Sequence, residues 1–157
     1  MATKKTETAA EGPIDLSGFD DMVQRQEEGI LVPIKGPDGR SSLGFSIKVA
    51  GPDSEKAQEA LDAIQAELVE QASLESASAR DIAQRRLRYF AKVTLDFVPD
   101  KRTDGTVPDV AIKLDGAPLP FSEENAAKLY QRFRFIYQQV QTKADTRAAF
   151  LTSSPSA

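Results

Sequence analysis

Two stretches near the start of the chain alternate in the way half-buried strands do. Ile30-Leu31-Val32-Pro33-Ile34 and Gly44-Phe45-Ser46-Ile47-Lys48-Val49 are rich in β-branched residues, and the second sets Phe45, Ile47 and Val49 on one face. Between them, Gly36-Pro37-Asp38-Gly39 supplies a turn, because Pro fixes one φ and Gly accepts a positive one. A β-hairpin is the predicted result. Pro33 has no amide donor, which puts the first strand at an edge. A lone hairpin is only marginally stable, so a helix or another strand must cover its apolar face.

The period then lengthens from two to between three and four. Gly51-Pro52-Asp53-Ser54 ends the strand and offers Asp53 or Ser54 as an N-cap. Ala57, Leu61, Ile64 and Leu68 follow at heptad-like steps, with Glu59, Asp62, Glu67 and Glu70 outside the seam. The pattern fades into Ser and Ala over 72–79 and resumes at Ile82, Ala83, Leu87, Phe90 and Ala91. One long central helix with an interruption is expected. Val93 to Val98 and Val110 to Leu114 read as strands flanking an exposed loop: a second hairpin, or a third and fourth strand beside the first pair. Phe19 to Glu28 holds Met22 and Val23 among acids and glutamines, a pattern for no more than a short helical turn.

Towards the C-terminus, Asp115-Gly116 is a turn dipeptide, and Pro118 and Pro120 keep the following residues extended. Ser122 is a good N-cap, with Glu123 and Glu124 where the helix dipole favours negative charge. Ala126, Leu129, Tyr130 and Phe133 share one helical face, and Ile136, Val140, Ala144, Ala148, Phe150 and Leu151 prolong it. These predict a C-terminal helical pair. The stripe has two readings: it packs on the chain's own core, or its aromatics exceed what one face can bury and some meet a partner. On the second reading, the candidate partner-binding residues are Leu129, Tyr130, Phe133, Phe135 and Ile136, supported by Phe150 and Leu151.

Taken together the elements make an α+β protein with an N-terminal β-hairpin or small antiparallel sheet, an interrupted central helix, a C-terminal helical pair and disordered termini. The expected layout is a disordered tail over 1–18, one domain over 19–151 and a mobile tail over 152–157. Ile14, Leu16 and Phe19 leave open a docking peptide within the first tail. The 157 residues carry a net charge of -4, which speaks against a dedicated nucleic-acid binder. The basic run Arg80, Arg85, Arg86, Arg88, Lys92 reads as a solvated face opposite the acidic first half of the helix, or as a face for an acidic protein surface.

Candidate chemistry changes this picture little. With no cysteine and no histidine, disulfides, Cys/His zinc sites, thiol nucleophiles and imidazole acid-base catalysis are excluded. Gly36-Pro37-Asp38-Gly39 lacks the spacing and the Lys-Ser/Thr of a nucleotide loop. Asp20-Asp21, Glu27-Glu28 and Glu123-Glu124 diverge as sequence neighbours on helices, and Lys101-Arg102 separates Asp100 from Asp104. The expectation is a protein that is not an enzyme and holds neither cofactor nor metal. No apolar run approaches the roughly 20 residues that cross a bilayer, and the N-terminus lacks a signal peptide's apolar centre, so a cytoplasmic location is expected.

The segment Asp115-Gly116-x-Pro118-Leu119-Pro120-Phe121-Ser122-x-x-Asn125-Ala126-x-x-Leu129-Tyr130, with Phe133, Ile136, Gln139-Val140 and a closing Arg147-Ala148-x-Phe150-Leu151, resembles the C-terminal signature of tail assembly chaperones of long-tailed phages. With the Val-rich hairpin, Gly51-Pro52-Asp53-Ser54 and a long helix, the likeness spans about three quarters of the chain. It departs at Arg134, where the family would have a helix-breaking residue, and at Ala149, where it would have asparagine. A further expectation is that Phe97 stands where the family has tryptophan. The resemblance implies a non-enzymatic protein of the host cytoplasm, absent from the mature virion, that keeps the tape measure protein, and tail tube subunits, soluble through exposed apolar surface. Self-association remains open. The alternatives are a structural tail or connector subunit retained in the virion, and a nucleic-acid-binding regulator.

Overall fold

The computed structural model describes residues 12–71 and 78–151. The tail over 152–157 and the first eleven residues, both expected to be disordered, lie outside these, as does most of the expected helix interruption. Three antiparallel strands form one sheet in the order β1 (Ile30–Lys35), β2 (Ser42–Val49), β3 (Thr94–Pro99). The β1-β2 hairpin has the predicted form, with Val32 opposite Ile47, and β1 is an edge strand as Pro33 requires. Its turn is tied by Asp38, whose carboxylate accepts from the Arg40 and Ser41 amides at 2.9 Å and from Ser41 Oγ at 2.6 Å. Val32, Ile34, Phe45, Ile47, Val49 and Phe97 are buried and join the main core.

Helices cover that face. α2 (Glu55–Gln71) and α3 (Ala79–Val93) form an arm, and α4 (Glu123–Arg132) and α5 (Arg134–Ala144) form the C-terminal pair, with α5 packed on β1 and β2 and α3 packed on α4 and α5. The α+β class and the helical pair are as the pattern predicted. Ser54 caps α2: its Oγ accepts from the Ala57 amide at 3.1 Å and donates to the Gly51 carbonyl at 2.6 Å. Ser78 and Asp81 make a complete capping box at the start of α3. α4 breaks at Phe133, which has φ -123 and ψ 89, so Arg134 is the first residue of α5. No proline is required there.

Expectations in two regions need correction. Phe19 to Glu28 holds more than a short helical turn: Asp20–Glu28 is a nine-residue helix, α1, preceded by a 3-10 turn over Leu16–Phe19 that Asp15 caps, so regular structure begins inside the expected N-terminal tail. α1 is held by polar contacts rather than an apolar stripe. Gln26 is fully buried, and its Oε1 accepts from the Asp53 amide at 2.6 Å while its Nε2 donates to the Asp53 carboxylate at 3.0 Å.

Of the arrangements expected for 93–98 and 110–114, a third strand beside the first pair does form, but the two stretches do not pair with one another. β3 pairs with β2, and only Lys113–Leu114 (β4) is strand, pairing locally with Ala117–Pro118 (β5). The cause is the turn between them, since Asp115 (φ 53) and Gly116 (φ 82) both take the left-handed conformation that suits a two-residue hairpin. Arg132 then forks onto Asp115 at 2.8 and 2.9 Å and fixes this small hairpin against the end of α4.

Asp53 joins both ends of the chain, accepting from Gln26 in α1 and from Arg147 Nε and Nη2 at 2.7 Å each. Hydrogen bonding from Arg147 is the main reason its pKa lies below the ordinary carboxylate value, with burial opposing. A folded-state pKa below the unfolded one stabilises above about pH 4 and loses that contribution as pH falls through the folded value. Asp53→Asn is therefore expected to lower the thermal midpoint at neutral pH, with the difference from wild type closing in acid. A constant difference across the titration would refute it.

Candidate functional site

The seven residues proposed for partner contact divide by burial. Leu129, Tyr130, Ile136 and Phe150 lie in the interior, each 4% exposed or less, so they are core and offer no docking surface. Their helical stripe is filled from within by α3, β1 and β2. Phe133 and Phe135 are half-buried and meet edge to face at 6.2 Å, and Leu151 is exposed. Of the other rings, Tyr137 is buried, and Phe121 stands edge-on to Phe97 at 5.3 Å. Phe135 joins Val32 and Pro33 in a groove of about 530 Å³ between β1 and α5.

The motif that carried the family resemblance is thus a folding motif. Ser122 Oγ accepts from the Asn125 amide at 3.0 Å, and Asn125 Nδ2 donates to the Pro120 carbonyl at 2.9 Å, turning the extended segment into α4. In the closing segment Arg147 grips Asp53, Phe150 is fully buried, and the Leu151 carbonyl accepts from Arg25 of α1.

Sheet edges offer little to a partner strand. Lys35 turns its backbone outward, where Gln139 Oε1 accepts from its amide at 2.9 Å and Gln139 Nε2 donates to its carbonyl at 2.8 Å. Pro33, two residues back on the same side, has no donor. On β3, the Asp100 amide bonds to Gly44 of β2, so Phe97 and Pro99 face the other way. Phe97 spends its amide on the Asp96 carboxylate at 2.9 Å, and Pro99 has none to give. Neither edge presents a run of free donors.

A set of exposed apolar side chains lies instead on the arm. Leu61 and Leu68 are seven residues apart on α2, and Ile82 and Tyr89 are seven apart on α3, so each pair shares a face. Leu61 and Ile64 of α2 and Tyr89 and Phe90 of α3 line a groove of about 410 Å³ that Pro52, Arg86, Asp145 and Arg147 also line. Leu61 is 44% exposed, Leu68 40% and Ile82 59%. The sequence shows this seam as heptad-like, and the structure leaves its outer half exposed. Ile14, Leu16 and Phe19 are also exposed.

The basic run on α3 is mostly neutralised from within, as its acidic counterpart suggested. Glu67 of α2 pairs with Arg88 at 2.6 Å and with Arg85 at 3.7 Å, and Lys92 pairs with Glu123 at 3.2 Å. Arg86 lies 3.8 Å from Asp145. Among the described residues no group of carboxylates could hold a metal ion, and no helix is long and apolar enough to cross a membrane. Compared with family models, with curated proteins and with solved structures, the chain matches none.

Proposed function

We propose that this protein is a tail assembly chaperone of a long-tailed bacteriophage, binding the tape measure protein in the host cytoplasm, with tail tube subunits as further clients. The reading starts from the family resemblance of the C-terminal segment and rests on one observation, the exposed apolar residues of α2 and α3 around an open groove. Two antiparallel helices with apolar residues at seven-residue spacing are two thirds of a bundle. An amphipathic helix laid along the arm would bury Leu61 and Ile64, which line the groove, and the exposed Leu68 and Ile82 outside it, the helix-in-groove mode of recognition. Such coverage hides a client's apolar stripe from other copies without chemistry. Because the groove is short and its residues are only partly exposed, release by tube polymerisation needs no separate energy source.

The test is co-expression with the phage's own tape measure gene. The wild-type chain is expected to co-purify with that product and raise its soluble yield, whereas Leu61→Asp/Leu68→Asp, at exposed positions, keeps its fold and loses at least about tenfold in affinity. Equal capture by the double variant would sink the groove as the contact surface. Failure of the wild type to co-purify, or its presence at fixed stoichiometry in purified particles, would sink the chaperone assignment.

A further inference from the structure

A second cleft lies on the other side of α3. Arg80 and Leu87, seven apart, face away from Ile82 and Tyr89, and with Gln131, Arg134, Tyr137 and Gln141 they border a cleft of about 240 Å³ that Arg86 also lines. We propose that this cleft is a docking site for an acidic segment of a partner protein, whose carboxylates are held by Arg80, Arg86 and Arg134.

Charge is left over here and nowhere else along the basic run. Arg85 and Arg88 are taken by Glu67 and Lys92 by Glu123, but Arg80 and Arg134 meet no acidic partner among the described residues. Arg86 is positioned from the side: Asp145 is 3.8 Å away, and the Gln141 amide oxygen, turned towards it, accepts from Nε at 2.7 Å and Nη2 at 3.1 Å. Guanidinium forks suit carboxylates because two parallel N–H donors match two oxygens.

A second, independent feature points the same way. Tyr137 borders the cleft with 8% of its surface exposed, and its hydroxyl finds no hydrogen-bond partner among the described residues. A phenol keeps its proton at neutral pH, so the hydroxyl is available as a donor. At the cleft it has no acceptor among the described residues, and a carboxylate between Arg86 and Arg134 would accept from it. Nucleic acid fits less well, since the chain carries a net charge of -4 and the cleft is a small enclosure rather than a groove that tracks a backbone.

The cleft and the groove between α2 and α3 share Arg86, but Arg80, Arg134 and Tyr137 line the cleft alone, so substitutions there test this inference without the tape measure protein. The test measures fluorescence anisotropy of a labelled Glu/Ala peptide with the full chain, using a Gln/Ala peptide and oligothymidylate for comparison. We expect saturable binding of the Glu/Ala peptide that weakens with salt, and none of the Gln/Ala peptide. Arg80→Glu/Arg134→Glu should lose about tenfold or more. Tyr137→Phe, which keeps the ring contacts to Phe90 and Tyr130, should lose several-fold with an unchanged thermal midpoint. If charge reversal unfolds the chain, Arg80→Gln/Arg134→Gln provides the same reading. Binding that ignores these substitutions, equal binding of the Gln/Ala peptide, tighter binding of oligothymidylate, or self-association that the double substitution abolishes would each overturn the proposal.

Discussion

Gly29→Ala is expected to destabilise the protein by about 3 kcal/mol or more, a large share of the roughly 5–15 kcal/mol that holds a domain of this size together. Gly29 ends α1 and starts the path into β1 with φ 87 and ψ 165, a conformation essentially reserved for glycine. Its amide still closes the helix onto the Arg25 carbonyl at 2.8 Å. An added Cβ would sit 2.6 Å from Leu95 Cδ1 and 2.8 Å from the Val49 carbonyl oxygen. Leu95 can swing aside, but the Val49 oxygen belongs to the backbone of β2 and cannot move without disturbing the sheet. Urea unfolding should show the midpoint falling by about 1 M or more. Gly116→Ala is the control, since Gly116 also has a positive φ but nothing within 4 Å of its Cβ, so only the conformational cost of about 1 kcal/mol applies. Equal losses in the two variants would show that close packing around Gly29 contributes nothing.

Much of the fold was legible because local chemistry and global packing agree. Alternation in Phe45, Ile47 and Val49, with a Pro-Asp-Gly turn before them, leaves a hairpin little choice of face, and the structure buries those three residues. Ser122 has the cap position the sequence assigned it. α1 was not legible, because its key interior residue is Gln26 and its partner Asp53 lies 27 positions away. No periodic signal marks a helix docked through a buried amide. The stretch 110–114 differs for the opposite reason: its composition is strand-like, but the Asp115-Gly116 turn pairs Lys113 and Leu114 with Ala117 and Pro118 rather than with β3.

The candidate site was legible only as a pattern without a side. An amphipathic helix shows that one face avoids water, not whether its own chain or another protein covers it. In α4 the cover is internal, and Leu129 and Tyr130 vanish beneath α3 and β3. In α2 the same spacing begins in the core at Ala57 and then runs out into solvent at Leu61 and Leu68, because among the described elements α2 packs extensively on α3 alone. Which half of a seam is left open depends on the lengths of the elements stacked beside it. That information lies in the tertiary arrangement rather than in any one helix.

Tyr130→Ala is expected to cost about 3–5 kcal/mol, the loss that goes with deleting a buried ring. Its smaller variants say more about how the centre is wired. Tyr130 is 1% exposed, and its hydroxyl oxygen lies 2.6 Å from Thr94 Oγ1, which is itself 2.7 Å from the Phe90 carbonyl. A carbonyl can only accept, so Thr94 donates its single proton to Phe90 and Tyr130 must donate to Thr94. The two ends of this chain are therefore unequal. Tyr130→Phe removes the last donor and leaves Thr94 still bonded to Phe90, at a cost of about 0.5–1.5 kcal/mol. Thr94→Val strands the tyrosine hydroxyl in a site where burial already drives its pKa well above the usual phenol value, at a cost of about 1–3 kcal/mol. Chemical denaturation of the two variants should thus rank Thr94→Val as the less stable, and the double variant should recover part of that loss because no orphan donor remains. The reverse ranking would mean that Tyr130 accepts rather than donates, and that the proton order across the junction of α3, β3 and α4 runs the other way.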